Sequence, residues 1–298
     1  MTTTKDSPPG RVRIASVQLE MRRISSLEDF EDRIAYFTRV ASEYGADFVV
    51  FPELYTLQTL SLAPALLPAA DAVEALTAYT PRFEALLTSL SLRHRINVIG
   101  GTHVTRVASG AVRNIAYAAL RDGSLHRQEK IHATPSERSY WGVAGGSDNT
   151  VIETDCGPIG IAICYDSEFP EQVRHLVDQG AMILFVPFCT DDRNGYLRVR
   201  YCCAARAIEN QIYVAMSGVC GNLPNVGNMD VHYAQGAVLT PCDLPFAWNG
   251  IKAEAEPNAE TMIVADVSLD ALREARARGT VQNLNDRRTD LYASGWKG

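Results

Sequence analysis

TVIETDCGPIGIAICYDSEFPE, residues 150–171, decides how the rest of the chain is read. Two short apolar stretches flank a tight Gly157–Pro158 turn, and the second, GIAI, runs into Cys164. Ser167 then opens a helix that tolerates Pro170 in its first turn and is closed by Gly180. Taken alone, a cysteine at the end of a strand is a small apolar filler, and most buried cysteines are inert. A strand, a turn and a helix beginning within about three residues form a different setting, one that exposes a nucleophile at a sheet edge. The helix N-terminus favours the thiolate and supplies N–H groups to an oxyanion, and a nearby lysine does both again.

Working outward, strands and helices alternate. RVRIASVQLE (11–20) reads as a strand covered on both faces, and Ser26 with Asp29 forms a capping box for a helix carrying Phe30, Ile34, Phe37 and Ala41 on one face. DFVVFPEL (47–54) is a buried strand with Glu53 at or just past its end. Thr80–Pro81 reads as the start of a helix carrying Phe83, Leu86, Leu87 and Leu90. Strands follow at 96–104 and 114–120, with an Asp122–Gly123 hairpin leading to LHRQEK (125–130). HATPSERSYWGVAGGSD (132–148) is a long loop of the kind that is functional or disordered. Beyond Cys164, 181–188 and 211–218 read as strands around a helix at 194–209, with further strands near 232–239 and 261–267 and a helix from Ser268 to about Arg278. The alternation argues an α/β layered sandwich. Residues 1–10 read as a flexible arm and 11–298 as one domain without a linker.

Composition narrows the function classes. Of 298 residues, 46% are hydrophobic and 21% charged, as in an ordinary globular protein. A formal charge of −7 argues against a nucleic-acid partner, and the paired arginines sit near acids rather than in a basic stripe. No apolar run approaches the roughly 20 residues of a membrane span, and MTTTKDSPPG lacks the apolar core of a signal peptide. Seven cysteines, an odd number, fit reduced thiols in the cytoplasm. No CxxC, HExxH or clustered His/Cys spacing suggests a metal, and none is expected.

Three segments end a buried element with a reactive side chain: FPEL at Glu53, EKIH at Lys130 and ICYDSEFPE at Cys164. Their order and spacing resemble the nitrilase (carbon–nitrogen hydrolase) superfamily, over essentially residues 11–292. The resemblance implies an α-β-β-α four-layer sandwich, with Glu53 as general base, Lys130 stabilising the tetrahedral intermediate and Cys164 as nucleophile. The family's second, loop-borne glutamate maps onto Glu137. KIHATPSERSYW (130–141), GYLRVRY (195–201) and GNLPNVGNMD (221–230) are similar to a branch often fused behind a GNAT acetyltransferase domain, a domain not expected in this chain.

The chemistry these groups permit is amide hydrolysis through a thioester. Glu53 takes the thiol proton, the thiolate attacks a carbonyl carbon, Lys130 and the Tyr165 N–H meet the oxyanion, and Glu53 then protonates the leaving nitrogen and activates water. No cofactor is needed. C-Y-D after the nucleophile resembles amidase branches, so a small linear amide is the expected substrate and a nitrile the alternative. Tyr55, Trp141, Tyr165 and Phe188 are candidate pocket walls, although aromatics after strands are more often core. Asp191, with Asp192 and Arg193, is a candidate for selecting a polar substrate, against a solvated turn.

Other readings stay open at this level. An amine could replace water as acyl acceptor, Cys164 could pair with His103 or His132, or the chain could be a non-catalytic interaction module on this scaffold. His103, His132 and the adjacent Cys202–Cys203 read as structural. The resemblance also implies a homodimer or larger homo-oligomer, with the helix after Cys164, the 194–209 helix and DRRTDLY (286–292) at the contact.

Overall fold

Apolar runs bounded by turn residues set the element order in the computed structural model of the protein, which describes residues 10–292 and 295–297. The arm expected over 1–10 lies outside the described residues but for Gly10, whose carbonyl accepts the Leu269 N–H at 2.7 Å. The first half of the chain comprises β1 (Arg11–Met21), α1 (Leu27–Glu43), β2 (Phe48–Val50), α2 (Ala69–His94), β3 (Asn97–Arg106), β4 (Val112–Ala119) and β5 (Leu125–Glu129). The second comprises β6 (Ile159–Ile161), α3 (Pro170–Asp178), β7 (Ile183–Phe188), α4 (Arg193–Asn210), β8 (Tyr213–Gly221), β9 (Ala237–Leu239), β10 (Ile251–Glu254), β11 (Thr261–Ser268) and α5 (Leu269–Arg278).

Two sheets result. In one, β1, β2 and β3 run parallel, β4 and β5 continue antiparallel, and β11 pairs antiparallel with β1. In the other, β6, β7 and β8 run parallel, and β9 and β10 extend it antiparallel. A short parallel pairing of Leu19–Met21 with Val219–Gly221 joins them.

Alternation along the strands explains the layers. Phe48 and Val50 belong to the core between the sheets, where Phe48 meets Phe185 with ring centroids 5.1 Å apart. Val49 and Phe51 point the other way, into a second core with Phe30 and Ile34 of α1 and Phe83 and Leu87 of α2. Val173 and Leu176 of α3 and Val199 and Cys203 of α4 cover the second sheet. The order is helices, sheet, sheet, helices, the α-β-β-α arrangement expected.

Several elements differ in extent from the sequence reading. Thr80–Pro81 does not start a helix but lies inside α2, which begins at Ala69 after Pro68; the apolar stripe of Val73, Leu76 and Tyr79 carries the helix through the proline. The stretch 150–166 holds one strand, β6, and an isolated Ile152–Ile159 bridge rather than two strands. A 3-10 turn, Cys164–Glu168, intervenes before α3, because Pro170 favours the first position of a helix and holds Phe169 before it in extended backbone. The long loop contains one π-helical turn, Glu137–Trp141. The Ser26 cap holds: its hydroxyl accepts the Asp29 N–H at 3.1 Å, while Asp29 reaches back to the N–H of Ser25. Among the described residues no helix is long and apolar enough to cross a membrane.

Candidate active site

The parallel strands deliver their following residues to one end of the sandwich, where α/β sheets place their crevices. Glu53 follows β2, Lys130 follows β5, Cys164 follows β6, and Cys189 follows β7. All four line a cavity of about 420 Å³, together with Glu137 from the π-helical turn.

A buried charge cluster forms its floor. Lys130 Nζ donates to Glu53 Oε1 and to Glu137 Oε2, both at 2.7 Å, and all three side chains are almost wholly buried. Asn114 of β4 ties the acids together, its amide donating to Glu53 Oε1 at 2.9 Å and to Glu137 Oε1 at 2.8 Å. The other Glu53 oxygen accepts the Cys189 N–H at 2.9 Å, and Glu137 Oε2 also accepts the Thr134 N–H at 2.8 Å. Such burial is tolerable only because every charge is paired and hydrogen-bonded.

Environment separates the two carboxyls. Burial raises Glu53 to about 7 despite Lys130, and Glu137 pushes it the same way. Burial also works against ionisation of Glu137, but Lys130 and the Thr134 and Asn114 hydrogen bonds outweigh it and hold that group low. Desolvation opposes the Lys130 ammonium, yet the two acids keep it charged well above the ordinary lysine range. One acid is therefore held as the counter-ion of Lys130 and the other is a carboxyl poised near neutrality.

Cys164 sits in left-handed backbone at φ 48°, a conformation unusual for a residue with a Cβ. Three contacts hold the turn: the Ser167 hydroxyl donates to the Cys164 carbonyl at 2.7 Å, and the Arg206 guanidinium donates to the Ser167 and Glu168 carbonyls at 3.0 and 3.1 Å. Asp166 fastens the turn to the lysine segment, accepting the N–H of His132 at 2.8 Å and those of Ile131 and Ile163 at 3.3 Å. The Cys164 thiol lies 3.7 Å from the Cys189 carbonyl. Burial, and then Glu53, push its pKa well up, outweighing Lys130. Burial thus opposes the thiolate that the helix end and lysine favour.

Of the five residues named as candidate substrate contacts, Tyr165 and Asp191 line the cavity. Tyr55, Trp141 and Phe188 do not. Tyr55 packs on Phe51 and Phe83, Trp141 on Tyr140, and Phe188 on Tyr196, all buried in the two cores. Around Tyr55 and Phe188 the strands are covered on both faces, so the ring turns back into a helix layer, whereas Trp141 turns from its π-helical turn into the core beside α1 and α2. His103 is held between Thr56 and Thr80, with burial lowering it to about 4. His132 stacks on Phe169 and bonds Asp166. Cys203 is core and Cys202 half-buried. Sequence reading passed over Asn114, the Cys189 N–H, Glu168 and Arg198. Asn114, a lone amide in the apolar run NIAYAAL, could have been flagged, since a buried amide needs partners.

The family model described as carbon-nitrogen hydrolase matches residues 13–277. A Bacillus subtilis (strain 168) protein, "Probable hydrolase YhcX", is 48% identical over 281 residues, 94% of this chain and 54% of its own length. "Omega-amidase, chloroplastic" of Arabidopsis thaliana is 30% identical over 217 residues, 70% of this chain and 55% of that protein. The chain thus spans about half the length of both relatives. Among solved structures, a carbon-nitrogen hydrolase from Helicobacter pylori G27 superimposes with a TM-score of 0.79 at 20% identity, covering 95% of this chain and 97% of that one. Saccharomyces cerevisiae Nit3, of the nitrilase superfamily, gives 0.73 at 23% identity, covering 90% and 94%. These likenesses carry the fold.

Proposed function

Because the chain belongs to the carbon–nitrogen hydrolase family, we propose that it hydrolyses a small linear amide to a carboxylic acid and ammonia or an amine, through a thioester on Cys164. The observation that carries this reading is the Lys130 ammonium held 2.7 Å from both Glu53 and Glu137 in the cavity that also presents Cys164. The raised thiol calls for a base at the moment of attack, and a carboxyl near 7 beside it suits that task.

Glu53 takes the proton from Cys164 Sγ as sulfur attacks the carbonyl carbon. The oxyanion develops against the Lys130 ammonium and the Tyr165 N–H. Collapse breaks the C–N bond while Glu53 returns its proton to the departing nitrogen. Glu53 then deprotonates water for attack on the thioester, and the acid leaves with the thiol restored. Glu137 and Asn114 hold Lys130 and Glu53 in place throughout.

A panel of small amides and nitriles assayed for ammonia tests this. Ammonia from amides, reduced at least about a thousandfold in Cys164→Ala, is the expected result. Normal turnover by that variant overturns the reading, and ammonia from nitriles alone transfers the site to nitrile hydrolysis. All seven cysteines are free thiols, which supports a cytoplasmic setting. Tyr201 and Ile208, exposed on α4, support a homo-oligomeric contact through that helix.

A further inference from the structure

Beyond the Glu53–Lys130–Glu137 cluster, the cavity wall carries three carboxylates, Glu168, Asp191 and Asp192, against one guanidinium, Arg198. Their engagements differ. Asp192 is occupied as the α4 cap, accepting the Gly195 N–H at 2.7 Å. Arg198 stands at the mouth with 66% of its side chain exposed, whereas the Glu168 side chain is only 17% exposed. The two approach to 3.8 Å, beyond hydrogen-bond distance. Among the described residues, no hydrogen bond reaches the carboxylate of Glu168 or of Asp191.

Glu168 is also held in place. It ends the turn that begins at Cys164, and Arg206 donates to its carbonyl and to that of Ser167. Its backbone is therefore anchored four residues from Cys164, on the same turn, while Asp191 follows Cys189 at the rim. Burial raises both carboxyls; a ligand bearing positive charge relieves that cost, and one bearing negative charge adds to it.

We propose that Glu168, assisted by Asp191, selects amides whose acyl chain ends in a cationic group, an ammonium or guanidinium that docks on Glu168 while the amide carbon reaches Cys164. This rests on the amide-hydrolase reading above and names its substrate class. With its backbone already held, Glu168 leaves only side-chain rotamers to order on binding. Glu168 acts on selection, not on the reacting atoms.

Three chain-matched amides test it: 5-aminopentanamide, pentanamide and the monoamide of glutaric acid, which end in a cation, a methyl and an anion. The full chain is assayed for ammonia at pH 7.5, with Cys164→Ala as background. The cationic amide is expected to have the highest kcat/KM. Glu168→Gln is expected to lower its ratio to pentanamide about tenfold or more, chiefly through KM, as loss of a charged hydrogen bond implies. Asp191→Asn gives a smaller drop, and Glu168→Arg turns the preference toward the anionic amide. Cys164-dependent hydrolysis that favours the neutral or anionic amide, or a ratio unmoved by Glu168→Gln, overturns the selection and leaves the hydrolase standing. No Cys164-dependent ammonia from any of the three overturns the proposal together with the reaction beneath it.

Discussion

At Glu53, burial and a neighbouring acid push the carboxyl toward neutrality while Lys130 pulls it back, and the balance lies near 7. A base must be ionised to act, so kcat/KM is expected to fall about tenfold per pH unit below that value and level off above it. The limb belongs to the coupled cluster rather than to one carboxyl. Glu137 raises Glu53 through like charge; hence Glu137→Gln is expected to move the acid limb to lower pH while reducing kcat by loosening Lys130. A limb that stays in place in that variant removes the coupling. A structural role for Glu137 alone would lower activity at every pH without moving the profile.

Asp166 shows how elements rather than residues make the site. Its buried carboxylate joins the segment after β5 to the turn after β6, so Lys130 and Cys164 share one brace. Asp166→Ala leaves three N–H donors, one buried and two part-buried, without their acceptor and is expected to cost about 3 kcal/mol, read from the urea midpoint at unchanged m-value. Activity falls with it, since the Cys164 turn loses its register with Lys130. β8 carries a second constraint. A Cβ at Gly218 would meet the Phe188 ring at 2.2 Å, and Phe188 precedes the residue whose N–H holds Glu53. Gly218→Ala is expected to lower kcat as well as stability, and retention of full kcat would show that β7 yields without moving Cys189.

For the whole molecule, the core between the sheets is the common support of strands that end at the cavity. Phe48 fills it against Phe185. Phe48→Ala is expected to destabilise by about 3–5 kcal/mol. Both sheets contribute to that core and are joined by the β1–β8 pairing, so activity, near-UV and far-UV dichroism should be lost in one coincident transition. Separate transitions for the two sheets would show that they fold independently.

Strand and helix types, the placing of Glu53, Lys130 and Cys164 past strand ends, and the layered architecture were legible in the chain because hydrophobic period and turn residues are local properties. Element ends were less so: α2 runs through Pro81 because packing overrides local preference there, β10 went unread, and the helix after Cys164 begins only at Pro170, past a 3-10 turn. Asn114 and the Cys189 N–H became part of the site only through long-range contact with Glu53. What folding alone decided is electrostatic. Two glutamates of the same intrinsic acidity are driven apart, Glu53 up to about 7 and Glu137 down, and burial pushes the Cys164 thiol up, because proton affinity depends on which charges and how little water lie within a few ångströms.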